Sequence, residues 1–265
     1  MTTSHAALET STASFAVWAR RAHLPLPYPL DISTVRGVGV EPADAETPAL
    51  ARLARILAGP RASAFALRAH PDGTDDYFLA VAGEHDAALV TMNRQTTTVA
   101  GVDESRLAVS VVNALPQVPK VNLPVREVAE ADWNALFAMT QAEPAPDDLR
   151  ERFADAGLVP SLVGPMLAAA AEPVVVGVLG AAAWTDGQQR LGPRVSGWYE
   201  YPRGGVLIER VPPRGRGVPV VRVGALNEES AFRALAGAVA DAVNAAAAQP
   251  PGKDAVEDAP HHQLG

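Results

Sequence analysis

Acid/base catalysis asks for two carboxylates, or a carboxylate and a histidine, held close enough to share a substrate proton. Carboxylates cluster at Glu41 to Glu46, Asp75-Asp76, Glu84 to Asp86 and Asp147-Asp148. All stand beside proline or glycine in loop-like stretches, where solvated charge is the simpler reading. The histidines are His5, His23, His70, His85, His261 and His262, with no His-Glu-x-x-His and no i, i+4 pair to grip zinc from one helical face. Cysteine is absent, which removes disulfides, iron–sulfur clusters, thiolate zinc sites and cysteine nucleophiles together. A Ser/His/Asp triad has no fixed order along a chain, but Gly-x-Ser-x-Gly, the elbow that presents serine in α/β-hydrolases, does not occur.

Phosphate chemistry fares no better. Lys120 stands in Pro-Lys-Val and Lys253 in Gly-Lys-Asp, so neither follows a phosphate-cradling glycine loop. Gly37-Val-Gly39 lacks the third glycine of a dinucleotide site and runs into Val-Glu-Pro, which breaks the helix such a site needs. Arg203-Gly204-Gly205 and Arg214-Gly-Arg216-Gly217 read as turns between strands. With 30 acidic against 22 basic side chains the formal charge is −8, which disfavours duplex nucleic acid as a partner. Hydrophobic residues make up 48% of the 265, enough for a sizeable core. No signal peptide is read before Trp18, because Arg20 and Arg21 come too late for its basic region. The most apolar stretch, Leu167 to Trp184, is split by Glu172 and Pro173 and falls short of the roughly 20 apolar residues of a membrane span.

The elements that would position these residues follow from hydrophobic period. Phe15 to Leu24 suits a short helix ended by the Pro25-Leu26-Pro27-Tyr28-Pro29 run. Thr47 is expected to cap a helix with Pro48 at its first position and Leu50, Leu53, Ile56 and Leu57 on one face, stopped at Gly59-Pro60. From Ala62 the period becomes two: Phe65, Leu67 and Ala69, then Tyr77 to Val81, Ala87 to Met92 and Gln95 to Val99 read as a four-stranded antiparallel meander. Asp103 caps the helix that follows, which Pro116 ends. Val118 to Ala171 is helical in character and broken by prolines. Strands return at Val174 to Trp184, Val195 to Tyr201, Val206 to Val211 and Val218 to Val223, and Asn227 caps a last helix with Glu228 and Glu229 in its first turn. Four strands and a closing helix thus occur twice, over 62–116 and 174–247, as if a meander-plus-helix unit were duplicated. Gln249 to Gly265 reads as a disordered tail.

Three segments in this order carry a family likeness: Phe15-Ala-Val-Trp-Ala-Arg-Arg-Ala-His-Leu-Pro-Leu-Pro-Tyr-Pro-Leu30; Arg36-Gly37-Val38 with the leucine-rich helix ending at Ala58-Gly59-Pro60; and Ser196-Gly-Trp-Tyr-Glu-Tyr-Pro-Arg-Gly-Gly-Val-Leu207. They resemble the EspG family, the ESX (type VII) secretion-associated chaperones of actinobacteria. The likeness runs over nearly the whole folded chain. It departs at Gly205-Val206, where the family commonly shows Gly-Arg-Tyr, and in the basic loop 212–219.

The resemblance implies an α+β fold of two quasi-symmetric halves, each an antiparallel β-meander plus helices, sharing a central sheet, with a helical bundle. It places 1–248 in one domain, with pseudo-repeats of about 1–116 and 117–248, and leaves 249–265 outside it. It also implies a cytosolic, non-catalytic role: binding a PE/PPE-like secretion substrate at its hydrophobic tip, with no cofactor, no nucleic acid and no membrane insertion, the chain itself a monomer or a weak homodimer. The partner-binding candidates are the hairpin residues His70, Asp72, Gly73, Asp75 and Asp76, and the segment Asp147 to Met166, where Leu149, Phe153, Leu158 and Leu162 could face outward to a client, with ordinary core packing as the alternative that their apolar character favours. Two alternatives stay open: a hydrolase or transferase without a sequence signature, and a generic protein-binding module.

Overall fold

The computed structural model describes residues 7–140, 146–158, 163–164, 175–213 and 217–248, apart from Asp31, Thr34, Gly37, Val38 and Glu46. The first half of the chain forms β1 (Leu8–Ser11), α1 (Thr12–Arg21), α2 (Pro48–Ala58), β2 (Ala62–Ala69), β3 (Asp75–Ala82), β4 (Ala87–Met92), β5 (Thr96–Val102), a 3-10 turn at Glu104–Arg106 and α3 (Leu107–Ala114). The second forms β6 (Arg126–Ala129), α4 (Glu130–Thr140), α5 (Pro146–Asp155), β7 (Val175–Thr185), β8 (Gln188–Leu191), β9 (Ser196–Tyr201), β10 (Gly204–Val211), β11 (Val220–Ala225) and α6 (Glu228–Ala248).

All the strands join one 11-stranded sheet in the order β1-β5-β4-β3-β2-β7-β9-β10-β11-β6, with β8 paired to the far half of β7. The order reads alike from either edge. Each half starts at its outermost short strand, then crosses to the centre and works back outward through consecutive antiparallel strands. β2 and β7 close the two halves on each other over the full length of β2, from Ala62↔Ala183 to Ala69↔Val176.

Alternation along the strands gives the sheet two apolar faces, so helices cover both. On one face Phe65, Leu79, Val81, Val90 and Val99 pack under Phe15 and Trp18 of α1 and Leu50, Leu53 and Ile56 of α2. Farther along the same face, Val206, Val221 and Val223 lie under Trp133 and Leu136 of α4 and Phe153 of α5. The opposite face carries Ala64, Ala66, Phe78, Leu179, Trp198 and Leu207, covered by α3 and α6 through Val111, Val112, Ala231, Ala234 and Leu235. Two glycines of β7 admit the largest side chains beside them. A Cβ on Gly177 would lie 2.1 Å from the Trp198 ring, and one on Gly180 would lie 2.5 Å from Phe65.

Local signals account for most helix ends. Ser11 accepts a hydrogen bond from the Ser14 N–H at 3.0 Å, and Asn227 Oδ1 accepts from the Ser230 N–H at 2.9 Å. α1 stops at Arg21, earlier than Leu24, because His23 takes a left-handed φ of 50° and the amides of His23 and Leu24 turn back to Arg20 and Ala19. Thr47 precedes the helix as expected, yet its side chain makes no capping bond; Pro48 at the first position removes one amide that would have needed it. The strands β1, β6 and β8 were not expected. Each has four residues, too few for an alternating pattern to show, and each exists only by pairing with a longer strand.

Candidate partner-binding surface

Turn chemistry builds the β2–β3 hairpin. Pro71 and Asp72 occupy its bend, the Gly73 N–H donates to the His70 carbonyl at 3.0 Å, and Gly73 takes φ 77°, a conformation that favours glycine. The His70 N–H then donates to the Thr74 carbonyl at 2.9 Å, closing the ladder. At the tip, Asp72 Oδ1 accepts from both the Thr74 hydroxyl (2.6 Å) and the Thr74 N–H (2.9 Å). Those bonds hold the exposed Asp72 carboxyl below its ordinary pKa of 3.8.

Below the tip, the hairpin is tied to the centre of the sheet. His70 Nε2 lies 2.9 Å from Asp76 Oδ2, and the same oxygen accepts from Arg68 Nη1 at 3.0 Å. Arg68 then grips Glu200 of β9 with both Nε (3.0 Å) and Nη2 (2.9 Å), while the Trp198 indole N–H donates to Glu200 Oε1 at 3.0 Å. The Arg68 side chain is only 9% exposed. A two-pronged guanidinium–carboxylate pair of this kind fixes orientation as well as distance. Asp75 points to the other face, where the Tyr77 hydroxyl donates to it at 3.1 Å. Of the five hairpin candidates, the fold therefore joins His70 and Asp76 in one cluster, keeps Asp72 and Gly73 in the turn, and turns Asp75 away.

The second candidate segment is corrected. Phe153 is 4% and Leu158 1% exposed, both in the core against α4 and β10–β11, so neither faces outward. The cause is the way α5 ends. Gly157 adopts φ 81°, its N–H donates to the Ala154 carbonyl at 2.9 Å and the Leu158 N–H to the Phe153 carbonyl at 2.9 Å. This left-handed glycine stop brings the residue after it against the one five earlier, so Phe153 and Leu158 turn inward together. The side chain of Leu149, and Leu162 altogether, lie outside the described residues.

A surface that the sequence did not single out lies at the middle of the sheet. α1 and α2 cover the face over β3 to β5, and α4 and α5 cover it over β10 and β11. Between them β2, β7 and β9 present half-buried Leu67, Ala69, Val178 and Tyr199 around Val176, which is 38% exposed. Register places Val176 beside both Ala69 and Tyr199. The strip begins where the hairpin ends. Covered and uncovered apolar strands look alike in sequence, whereas Arg68 and Glu200 did leave a signal: each puts a charge in line with buried residues of its own strand, Arg68 after Ala64 and Ala66 and Glu200 after Trp198.

Among the described residues no three His, Asp or Glu converge as a metal site, and no helix is long and apolar enough to cross a membrane. The second part of the Leu167 to Trp184 stretch is strand β7, and 167–174 lie outside the described residues.

One long antiparallel sheet with helices on both faces places the chain among the α+β proteins. Within that class it belongs to the EspG family, which matches residues 13–229. Among solved structures, the Mycobacterium tuberculosis type VII secretion system chaperone EspG5, determined in complex with a PE25–PPE41 dimer, shares the fold with a TM-score of 0.66 at 12% identity, over 89% of this chain and 96% of that one. A putative adenylate cyclase from Bacillus halodurans aligns over 95% of each chain at 8% identity, but with a TM-score of 0.15. No curated protein matches the chain.

Proposed function

We propose that this chain is a cytoplasmic, non-catalytic chaperone of type VII (ESX) secretion that holds a PE/PPE-like client until export. Membership of the EspG family over residues 13–229 is the observation that carries this reading. EspG5, which shares the fold, was captured with a PE–PPE dimer. The client would meet the β2–β3 hairpin, with His70, Asp72, Gly73, Asp75 and Asp76, and the apolar strip around Val176. A helical client with an apolar tip aggregates through that tip. Covering it is favourable by roughly 25 cal/mol per Å² of apolar surface, before the cost of association is subtracted. A hairpin rigidly anchored through Arg68 lowers the ordering cost on the chaperone side, and moderate net affinity leaves the client free to be released at the secretion machinery.

Co-expression with the proteins encoded beside it, followed by size-exclusion chromatography, tests the proposal. A stable complex of chaperone, PE-like and PPE-like chains is expected, and Val176→Glu should abolish it while circular dichroism and thermal unfolding of the free chaperone stay unchanged. If the wild-type chain captures no such pair, the chaperone reading fails. If Val176→Glu still binds, the client sits elsewhere on the molecule.

A further inference from the structure

On the side away from β2, the long strand β7 has two neighbours in succession. β9 pairs with Val175 to Leu179, and beyond a break at 192–195 β8 takes over along Ala182 to Thr185. Among the described residues β8 pairs with nothing else, so its other side is a sheet edge. Register fixes what that edge offers. The Gly192 N–H donates to the Ala181 carbonyl at 2.8 Å. By alternation Arg190 also turns its backbone toward β7, and Gln189 and Leu191 turn their N–H and C=O groups outward.

Side chains flank this edge on both faces. Leu191 stands opposite Ala182 on the face of α1 and α2 and is 55% exposed. On the same face Gln189 clamps Tyr28, 44% exposed, accepting from its N–H at 2.9 Å and donating to its carbonyl at 3.3 Å. Arg190 stands opposite Ala183 on the α6 face, exposed and in no ion pair among the described residues. Asp241 of α6 is held by Arg194, and Asp186 belongs to the turn outside the paired residues.

The sheet's other edges are blunted. Glu9 puts an exposed carboxylate within β1, and on β6 Arg126 Nη1 donates to the outward Val125 carbonyl at 3.0 Å. A second copy of the chain does not fit β8. The register that joins Gln189 to Leu191 in both directions sets the two Arg190 side chains opposite each other, where like charges repel. The chain's own tail fits no better, because Lys253-Asp254-Ala255-Val256-Glu257-Asp258-Ala259 holds one good strand former, Val256.

We propose that the β8 edge is a docking site for an extended segment of another protein, which adds as a strand with an acidic residue opposite Arg190 and an apolar residue on either side of it, beside Leu191 and Tyr28. Backbone bonds supply the affinity, and the alternating side chains select the sequence. The site is separate from the client surface. Leu191 lies opposite Ala182, six residues and about 20 Å along β7 from Val176, at the end away from the β2–β3 hairpin. It therefore stands whether or not the chaperone reading does.

The test is titration of the full-length protein with the peptide acetyl-Thr-Val-Glu-Val-Thr-amide, followed by NMR at the Leu191 backbone amide, which is assigned through Leu191→Met. A saturable shift of that resonance is expected. Binding should weaken by about tenfold or more when the peptide's Glu becomes Lys, and when both its Val amides are N-methylated. Arg190→Glu, at an exposed position that leaves the fold intact, should reverse the preference and favour the lysine peptide. No saturation at millimolar peptide, or equal binding of the lysine or the N-methylated peptide, overturns the proposal. So does a shift of the Leu191 amide without peptide, on dilution or on deleting 249–265, which would make a second copy or the tail the occupant.

Discussion

Asp72 carries its own pH test. Hydrogen bonds from the Thr74 hydroxyl and amide favour its charged form, so its pKa lies below 3.8 in the folded chain. A group depressed in the folded state is protonated first in the unfolded one as pH falls. Its contribution is therefore complete above about pH 4 and is lost as pH drops through the folded value. Asp72→Asn should give a shallower loss of stability below about pH 4 than the wild type, read by urea unfolding across that range; identical acid limbs would show that the turn bonds contribute nothing. Gly177 sets a steric limit of the same scale. With Trp198 2% exposed and its ring 2.1 Å from where a Cβ would stand, Gly177→Ala forces overpacking. The expected loss, by chemical denaturation, is about 1 to 3 kcal/mol; a neutral result would mean that the indole shifts freely. The hairpin turn was legible at this scale because Pro71, Asp72 and Gly73 act on their immediate neighbours. The Arg68–Glu200 pair was not, since its partners stand 132 residues apart.

Elements are joined by charge where apolar packing thins. Glu209 of β10 is 1% exposed, and both of its oxygens are held: Oε1 by Arg194 at 2.9 Å and Oε2 by Arg222 at 3.0 Å. Arg194 continues to Asp241 of α6 at 2.9 Å, and Arg222 to Glu127 of β6 at 2.7 Å. Burial opposes the charge of Arg222, but its bonds to Glu127 and Glu209 outweigh that and raise its pKa. One chain of charges thus ties an edge strand, two inner strands, the β8–β9 connection and the last helix. Glu209→Ala leaves two partly buried guanidiniums short of a partner and should cost about 3 to 5 kcal/mol. A loss below about 0.5 kcal/mol in urea unfolding would show that the remaining carboxylates and water replace it. The strands and helices themselves were largely readable: Ala87–Met92 and Pro48–Ala58 follow from period and stop signals within their own length. The inward turn of Phe153 and Leu158 was written at Gly157, yet the apolar residues of an amphipathic helix do not state which side will be solvent.

For the molecule as a whole, residues 13–229 belong to the EspG family and fold as EspG5 does. The sequence by itself determined the α+β class, the meanders, most helix ends and the absence of cysteine chemistry, because periodicity, caps and turns act over a few residues and composition acts over none. Tertiary structure alone decided the rest. It recruited three four-residue strands, set β2 against β7, buried Phe153 and Leu158, brought Arg68 to Glu200, and left Val176 uncovered between two helical layers. Each of these depends on what distant segments place above or beside a residue, and a linear pattern of apolar and charged side chains carries no record of which neighbour will arrive.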